Sequence, residues 1–165
     1  MYRARGAVNT LAPGGRLVVE MTSHAGWVGG VTALAEELGL AAGMPPARAE
    51  GVAAATREAC LNAIEHGNGG GTTQPVLVRF EPSTEGLTVT VEDDGPRFNP
   101  PQAPPVLEEQ IDGKTPARGW GFPLMRHLSD RVEVRPRGGP ASGNAVRLTF
   151  LHEGHPPAVE AVTAG

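Results

Sequence analysis

A chain of 165 residues suits one domain, since a domain near this size buries about two-thirds of its unfolded surface without disulfide or metal staples. The composition, 39% AVILMFWYC and 19% charged residues, is that of a globular protein, while 23 Gly and 16 Pro imply long irregular segments around the core. A formal charge of -4 gives no basic field for a polynucleotide, lone Cys60 excludes an internal disulfide framework, and no apolar run reaches the roughly 18 residues of a membrane helix.

Residues 1 to 15 read as a flexible N-terminal arm; two arginines without an apolar h-region do not make a signal peptide, and the expected compartment is the cytoplasm. RLVVEMTS at 16 to 23 sets Leu17, Val19 and Met21 against Val18, Glu20 and Thr22, the alternation of a strand. Val31, Leu34, Ala35 and Leu38 then repeat at helical spacing and predict a helix from about Trp27 to Leu40, closed by Gly39 and Gly43 before Pro45.

Pro45 and Pro46 open a second helix, expected to run to His66 with Gly67 as its left-handed C-cap. Its core side carries Val52, Ala53, Thr56, Cys60, Ala63 and Ile64, and there Cys60 reads as a packed small residue. PVLVRFE at 75 to 81 and GLTVTVED at 86 to 93, separated by Pro82-Ser83-Thr84-Glu85, predict an antiparallel hairpin. From Gly95 to Gly121 the chain is punctuated by prolines, and a loop of that length is functional or disordered. Phe122, Leu124, Met125 and Leu128 mark a third helix, in which Pro123 fits only the first turn. RVEVR at 131 to 135 and AVRLTFL at 145 to 151 are the last two strands, and residues 152 to 165 read as a tail. Amphipathic strands in the order β α α β β loop α β β suit an α+β two-layer sandwich, a mixed, mostly antiparallel sheet covered by helices on one face.

Three stretches carry candidate chemistry. In REACLNAIEHGNGGG, from Arg57 to Gly71, the side chains of Glu58, Asn62, Glu65 and His66 fall within roughly 100° of one another on a helix. A carboxylate and a carboxamide on successive turns can offer oxygens to Mg²⁺, although spacing alone favours a solvated face. In VTVEDDGPRF the acidic pair Asp93-Asp94 ends a strand at a glycine turn, where a buried Asp can accept a hydrogen bond from an exocyclic amine. In ARGWGF a glycine-spaced loop runs into a helix start, a natural phosphate site to which Arg118 adds charge. The five histidines have no Cys or carboxylate at zinc spacing.

Taken in order, E-x-x-x-N-x-x-x-H-G at 58 to 67, D-x-G-x-x-F at 93 to 98, R-G-x-G-F-x-L-M at 118 to 125 and G-N-A-V-R-L-T-F at 143 to 150 resemble the N, G1, G2 and final glycine boxes of GHKL ATPases. That superfamily includes gyrase B, MutL and histidine-kinase catalytic domains. The short stretch between the G1 and G2 boxes, with LMRHLSDRVEV, most resembles the bacterial anti-sigma-factor serine kinases. The resemblance covers about residues 16 to 151.

It implies Asn62 as the Mg²⁺ ligand, Glu58 as the base acting on the attacking hydroxyl, and Asp93 as the partner of the adenine amino group, with Gly95 letting the base approach. Residues 100 to 118 would form an ATP lid. Arg118, Gly119, Gly121, Phe122 and Asn144 complete the implied nucleotide-binding set. Two positions depart from the pattern, Arg97 for the second glycine of D-x-G-x-G and Asn144 for a threonine, and Arg97 is expected to point to solvent. The implied activity is Mg²⁺/ATP-dependent phosphorylation of an anti-sigma-factor antagonist on serine, with binding of a sigma factor when the antagonist is absent. A homodimer is implied too, and neither direct nucleic-acid contact nor a membrane is expected. The alternatives are a nucleotide-binding regulatory module without transfer and a detached histidine-kinase catalytic domain, which would need dimerisation helices that the stretch before Trp27 is too short to supply.

Overall fold

The computed structural model describes residues 11–70, 73–97, 121–137 and 143–152. The expected lid and Trp120, together with most of the expected N-terminal arm and C-terminal tail, lie outside these ranges. Five strands and three helices follow one another as β1 (Leu17–Thr22), α1 (Val28–Ala41), α2 (Pro46–Asn62), β2 (Pro75–Pro82), β3 (Gly86–Asp93), α3 (Gly121–Leu128), β4 (Arg131–Pro136) and β5 (Asn144–Leu151). A short 3₁₀ turn, Ala25–Trp27, leads into α1, its Gly26 amide donating to the His24 ring at 3.0 Å. The order is the one the residue pattern predicts. Pro123 sits in the first turn of α3, where its missing N–H has no partner to lose.

The strands form one sheet in the spatial order β1-β2-β3-β5-β4, and all four pairings among the described strands are antiparallel. Alternation along each strand divides the sheet into two faces. Val76, Val78 and Phe80 of β2, Leu87, Val89 and Val91 of β3, and Val146, Leu148 and Phe150 of β5 are buried together with helix residues in one core. The fold is therefore α+β, with the helices on the apolar face.

Burial in the central helix is carried by small side chains. Ala49, Val52, Ala55, Thr56, Ala59 and Cys60 of α2 are fully buried, and Gly39 of α1 packs against Ala49, so the helices approach closely. Thr56 returns its hydroxyl to the Val52 carbonyl, which satisfies a buried polar group within the helix. Cys60 is enclosed, and burial pushes its thiol up to about 12, so it is a packing residue rather than a nucleophile.

Arg48, in the first turn of α2, ties that helix to α3, to the turn after it and to β5. Its guanidinium donates to the Leu128 carbonyl at 2.9 Å and to the Asp130 carboxylate, and lies over the Phe150 ring. Asp130 also accepts the Leu151 amide at 2.7 Å. Charged hydrogen bonds of this kind contribute about 1.5–3 kcal/mol each.

The opposite sheet face is laced with charges. Arg79 pairs with Glu92 at 2.9 Å, Arg137 reaches Glu92 and Asp94, and Glu133 takes both Arg131 and Arg135 at 2.8 Å. The hydrogen bond from Arg135 holds the Glu133 carboxyl below its usual range. In β1, Leu17 and Val18 are both exposed, and among the described residues β2 alone flanks this strand.

The end of α2 departs from expectation. The α-helix stops at Asn62, and residues Ala63–Gly67 form one π turn, closed by the Asn68 amide on the Ala63 carbonyl at 2.8 Å. Gly67 is not the left-handed C-cap expected from the sequence. That backbone falls on Gly69 (φ 63°) and Gly70 (φ 73°), while Gly67 lacks a side chain for a different reason, given below.

Candidate functional site

Asp93 ends β3 and is 4% exposed. Its Oδ1 accepts the Gly95 amide at 2.9 Å and the Asn144 carboxamide N–H at 2.9 Å, and Asn144 also donates to the Pro96 carbonyl at 2.9 Å. The two residues are cross-strand partners, so β3–β5 pairing brings them together directly. Both bonds end on one carboxylate oxygen, and this fixes the rotamer. Asn144, which stands where the GHKL pattern often has threonine, thus orients the acidic residue.

Gly67 and Gly95 meet backbone to backbone at this point. A Cβ on Gly95 would run into the Gly67 carbonyl, and a Cβ on Gly67 would run into the Asp93 carboxyl. Close approach therefore requires both glycines, and the π turn delivers Gly67 to the contact. The role assigned to Gly95 needs refining: its missing side chain first makes room for Gly67, and any room for a bound base comes second. Gly143 backs onto the Asp93 carbonyl, a Cβ there lying 2.6 Å from the oxygen.

Across the π turn lies a second group. Glu58 and Asn62 are half-buried on one face of α2, and a Cβ on Gly121, the first residue of α3, would lie 3.1 Å from Glu58 Oε2, 3.3 Å from Asn62 Nδ2 and 3.5 Å from Asn62 Oδ1. The start of α3 thus abuts the carboxylate and the carboxamide, and brings the positive end of the helix dipole there. Phe122 is buried behind Gly121, with the Arg126 guanidinium over its ring at 5.2 Å.

Of the residues implied for nucleotide binding, Glu58, Asn62, Gly121 and Phe122 gather at one end of the π turn, and Asp93, Gly95 and Asn144 at the other. Arg118 and Gly119 lie outside the described residues. Glu65 and His66 share the helix stripe in sequence but lie in the π turn and are exposed. Arg97 is exposed, as expected.

Three neighbours were not singled out by residue type. Arg57 donates to Glu58 Oε1 at 3.0 Å, an exposed pair worth little energetically. Arg137 holds the Asp94 carboxylate. Asn68, hidden in a glycine-rich run, bonds to three segments at once. An Asn flanked by glycines directly after the E-x-x-x-N-x-x-x-H-G run is a weak signal that could have found it.

Among the described residues no cluster of three or more His, Cys, Asp or Glu side chains could hold a metal ion. A lone carboxamide beside a carboxylate still fits Mg²⁺, which keeps several waters and takes much of its coordination from substrate phosphates. None of the described helices is long and apolar enough to cross a membrane. Away from the site, an apolar groove of about 490 Å³ runs between β1 and α1, lined by Val19, Met21, Trp27, Gly30, Val31 and Leu34.

A buried acidic residue in a glycine turn, a Glu/Asn helix face and a glycine-led helix start, set on one sheet, define an ATP-binding domain of the GHKL type. Residues 21–150 match the family model of the histidine kinase-like ATPase domain, and the chain belongs to that family. The comparison with curated proteins finds no match.

Proposed function

We propose that the protein is a cytoplasmic, Mg²⁺/ATP-dependent protein serine kinase that phosphorylates an anti-sigma-factor antagonist and sequesters a sigma factor in its absence. The observation that carries the transfer reading is the convergence of Glu58 Oε2 and the Asn62 carboxamide on Gly121 at the start of α3. The partner identities rest on the resemblance of the small size, the short stretch between the G1 and G2 boxes and the Leu124 to Val134 run to anti-sigma-factor serine kinases.

Asp93 accepts a hydrogen bond from the adenine amino group, its carboxylate already held by Gly95 and Asn144. By resemblance, Arg118, Gly119 and Gly121 cradle the phosphates beside the positive end of the α3 dipole. Asn62 holds Mg²⁺, which supplies charge neutralisation on the phosphates when bound. The serine oxygen of the antagonist attacks the γ-phosphorus, the bond to the β–γ bridging oxygen breaks, ADP leaves, and the hydroxyl proton passes to Glu58. Positioning and electrostatics supply most of the rate, so no covalent nucleophile is required.

A second reading has one observation in its favour. Glu58 is paired with Arg57, and a base so engaged suits a module that binds nucleotide without transferring phosphate. Labelled ATP, Mg²⁺ and a candidate antagonist separate the two: phosphoserine on the antagonist supports the kinase, while nucleotide binding without label transfer contradicts it.

Asn62→Ala is expected to weaken nucleotide binding about tenfold or more in Mg²⁺ and to leave the residual affinity in excess chelator unchanged, by calorimetric titration. Equal weakening with and without the metal would remove Asn62 from the cation site.

The proposed assembly is a homodimer, and the edge of β1 is its proposed face. Leu17, Val18 and Trp27 are 42%, 43% and 60% exposed beside the apolar groove, and among the described residues β1 is an edge strand of the sheet. A monomer in sedimentation equilibrium at micromolar concentration would contradict this assembly.

A further inference from the structure

Asn68 is 6% exposed and uses both ends of its carboxamide. Nδ2 donates to Ser23 Oγ at 2.7 Å and to the Pro75 carbonyl at 3.1 Å, and Oδ1 accepts the Asp94 amide at 3.0 Å. These partners come from the end of β1, the start of β2 and the turn after β3. Chemistry fixes which way the amide faces. The Ser23 hydroxyl proton is spent on the Gln74 carbonyl at 2.8 Å, so Ser23 can only accept from Asn68, and Pro75 offers only a carbonyl. The oxygen must then meet the one donor on the other side, the Asp94 N–H.

That N–H belongs to the peptide unit between Asp93 and Asp94. Holding it sets the rotation of the backbone directly after Asp93. The Asp94 side chain is held separately by Arg137, so the turn is pinned by its backbone from one side and its carboxylate from the other. A tie serving stability alone could use any amide of the turn. This one uses the peptide whose rotation carries the Gly95 amide to Asp93 Oδ1, and so decides where Oδ2 points.

We infer that Asn68 is a positioning residue for base recognition, acting through the Asp93–Asp94 peptide to aim the Asp93 carboxylate at a purine amine rather than a purine carbonyl. The inference rests on the nucleotide-binding reading of the site and deepens it. Its consequence is selectivity for ATP over GTP: a carboxylate held in place accepts from the 6-amino group of adenine and repels the 6-oxo group of guanine.

The test is calorimetric titration of the full chain with ATP and with GTP in Mg²⁺, alongside thermal unfolding, for wild type, Asn68→Ala and Asn68→Asp. The wild type is expected to prefer ATP. Asn68→Ala should lose about tenfold of that preference, through weaker ATP binding and unchanged GTP binding. Asn68→Asp keeps an acceptor for the Asp94 amide but loses both donors, so its unfolding midpoint should fall while the ATP/GTP ratio stays near wild type. If Asn68→Ala does not fold, Asn68→Ser, too short to reach the Asp94 amide, takes its place with the same expected loss.

An unchanged ratio in the Ala or Ser variant overturns the proposal, as does an equal loss of preference in the Asp variant, which would track stability instead of the acceptor. A wild type that binds neither nucleotide overturns the underlying reading, a result distinct from a wild type that prefers ATP with an indifferent Asn68.

Discussion

Glu58→Gln is expected to leave ATP affinity at its wild-type level and to lower phosphoryl transfer by about 10²- to 10⁴-fold, the usual contribution of a positioned general base. Glutamine keeps the shape of the side chain and one oxygen beside Gly121, where the Glu58 carboxylate now lies, but cannot take up the hydroxyl proton. The Arg57 pair is lost at little energetic cost, because Arg57 is exposed and solvent screens it. Nucleotide titration and single-turnover transfer, run on the same preparations, separate binding from chemistry. Transfer at the wild-type rate would show that Glu58 is not the base.

The second large effect is expected from one added methyl group. In Gly95→Ala the new Cβ would overlap the backbone carbonyl of Gly67, and no change of rotamer moves a Cβ. The turn or the π segment must shift, and either movement pulls the Gly95 amide off Asp93 Oδ1. Overpacking in a core costs typically 1–3 kcal/mol, and because both contacting groups here are backbone we expect about 3 kcal/mol, a fall in unfolding midpoint of roughly 6–12 °C. ATP binding should weaken in the same variant even at temperatures where it remains folded. A wild-type midpoint with wild-type ATP affinity would mean that Gly67 and Gly95 do not pack as closely as described.

The element order was legible because its signals are local. Alternation in β2, β3 and β5, helical spacing in α1, and prolines at helix starts each act over a few residues. The end of α2 was not, since the small and polar residues of that helix continue unbroken to His66. The switch to a π turn at Ala63 is made by contact with Asp93 and Gly95, far away in sequence. For the same reason Gly67 could be taken for a cap when its use is close approach. The sheet order was equally hidden: nothing in RLVVEMTS marks β1 as an edge strand, and Leu17 and Val18 on its two faces are both exposed.

The site was legible as a set of motifs rather than as geometry. Glu58 and Asn62 looked like a wet helix face until the order of boxes joined them to Asp93 and Gly121. Asn144 was visible as a departure from the pattern, but its bond to Asp93 follows from strand register, which sequence does not give. Asn68 carried no signal beyond its place in a glycine run. Arg118 and Gly119, the phosphate-loop pair, fall outside the described residues, and their roles stand on the resemblance.

The most direct test of the central claim is a crystal structure of the protein with Mg²⁺ and a non-hydrolysable ATP analogue. The adenine amino group is expected on Asp93, the metal on Asn62, and the γ-phosphate within reach of Glu58 at the start of α3. A nucleotide bound elsewhere, or one whose base does not touch Asp93, would contradict it.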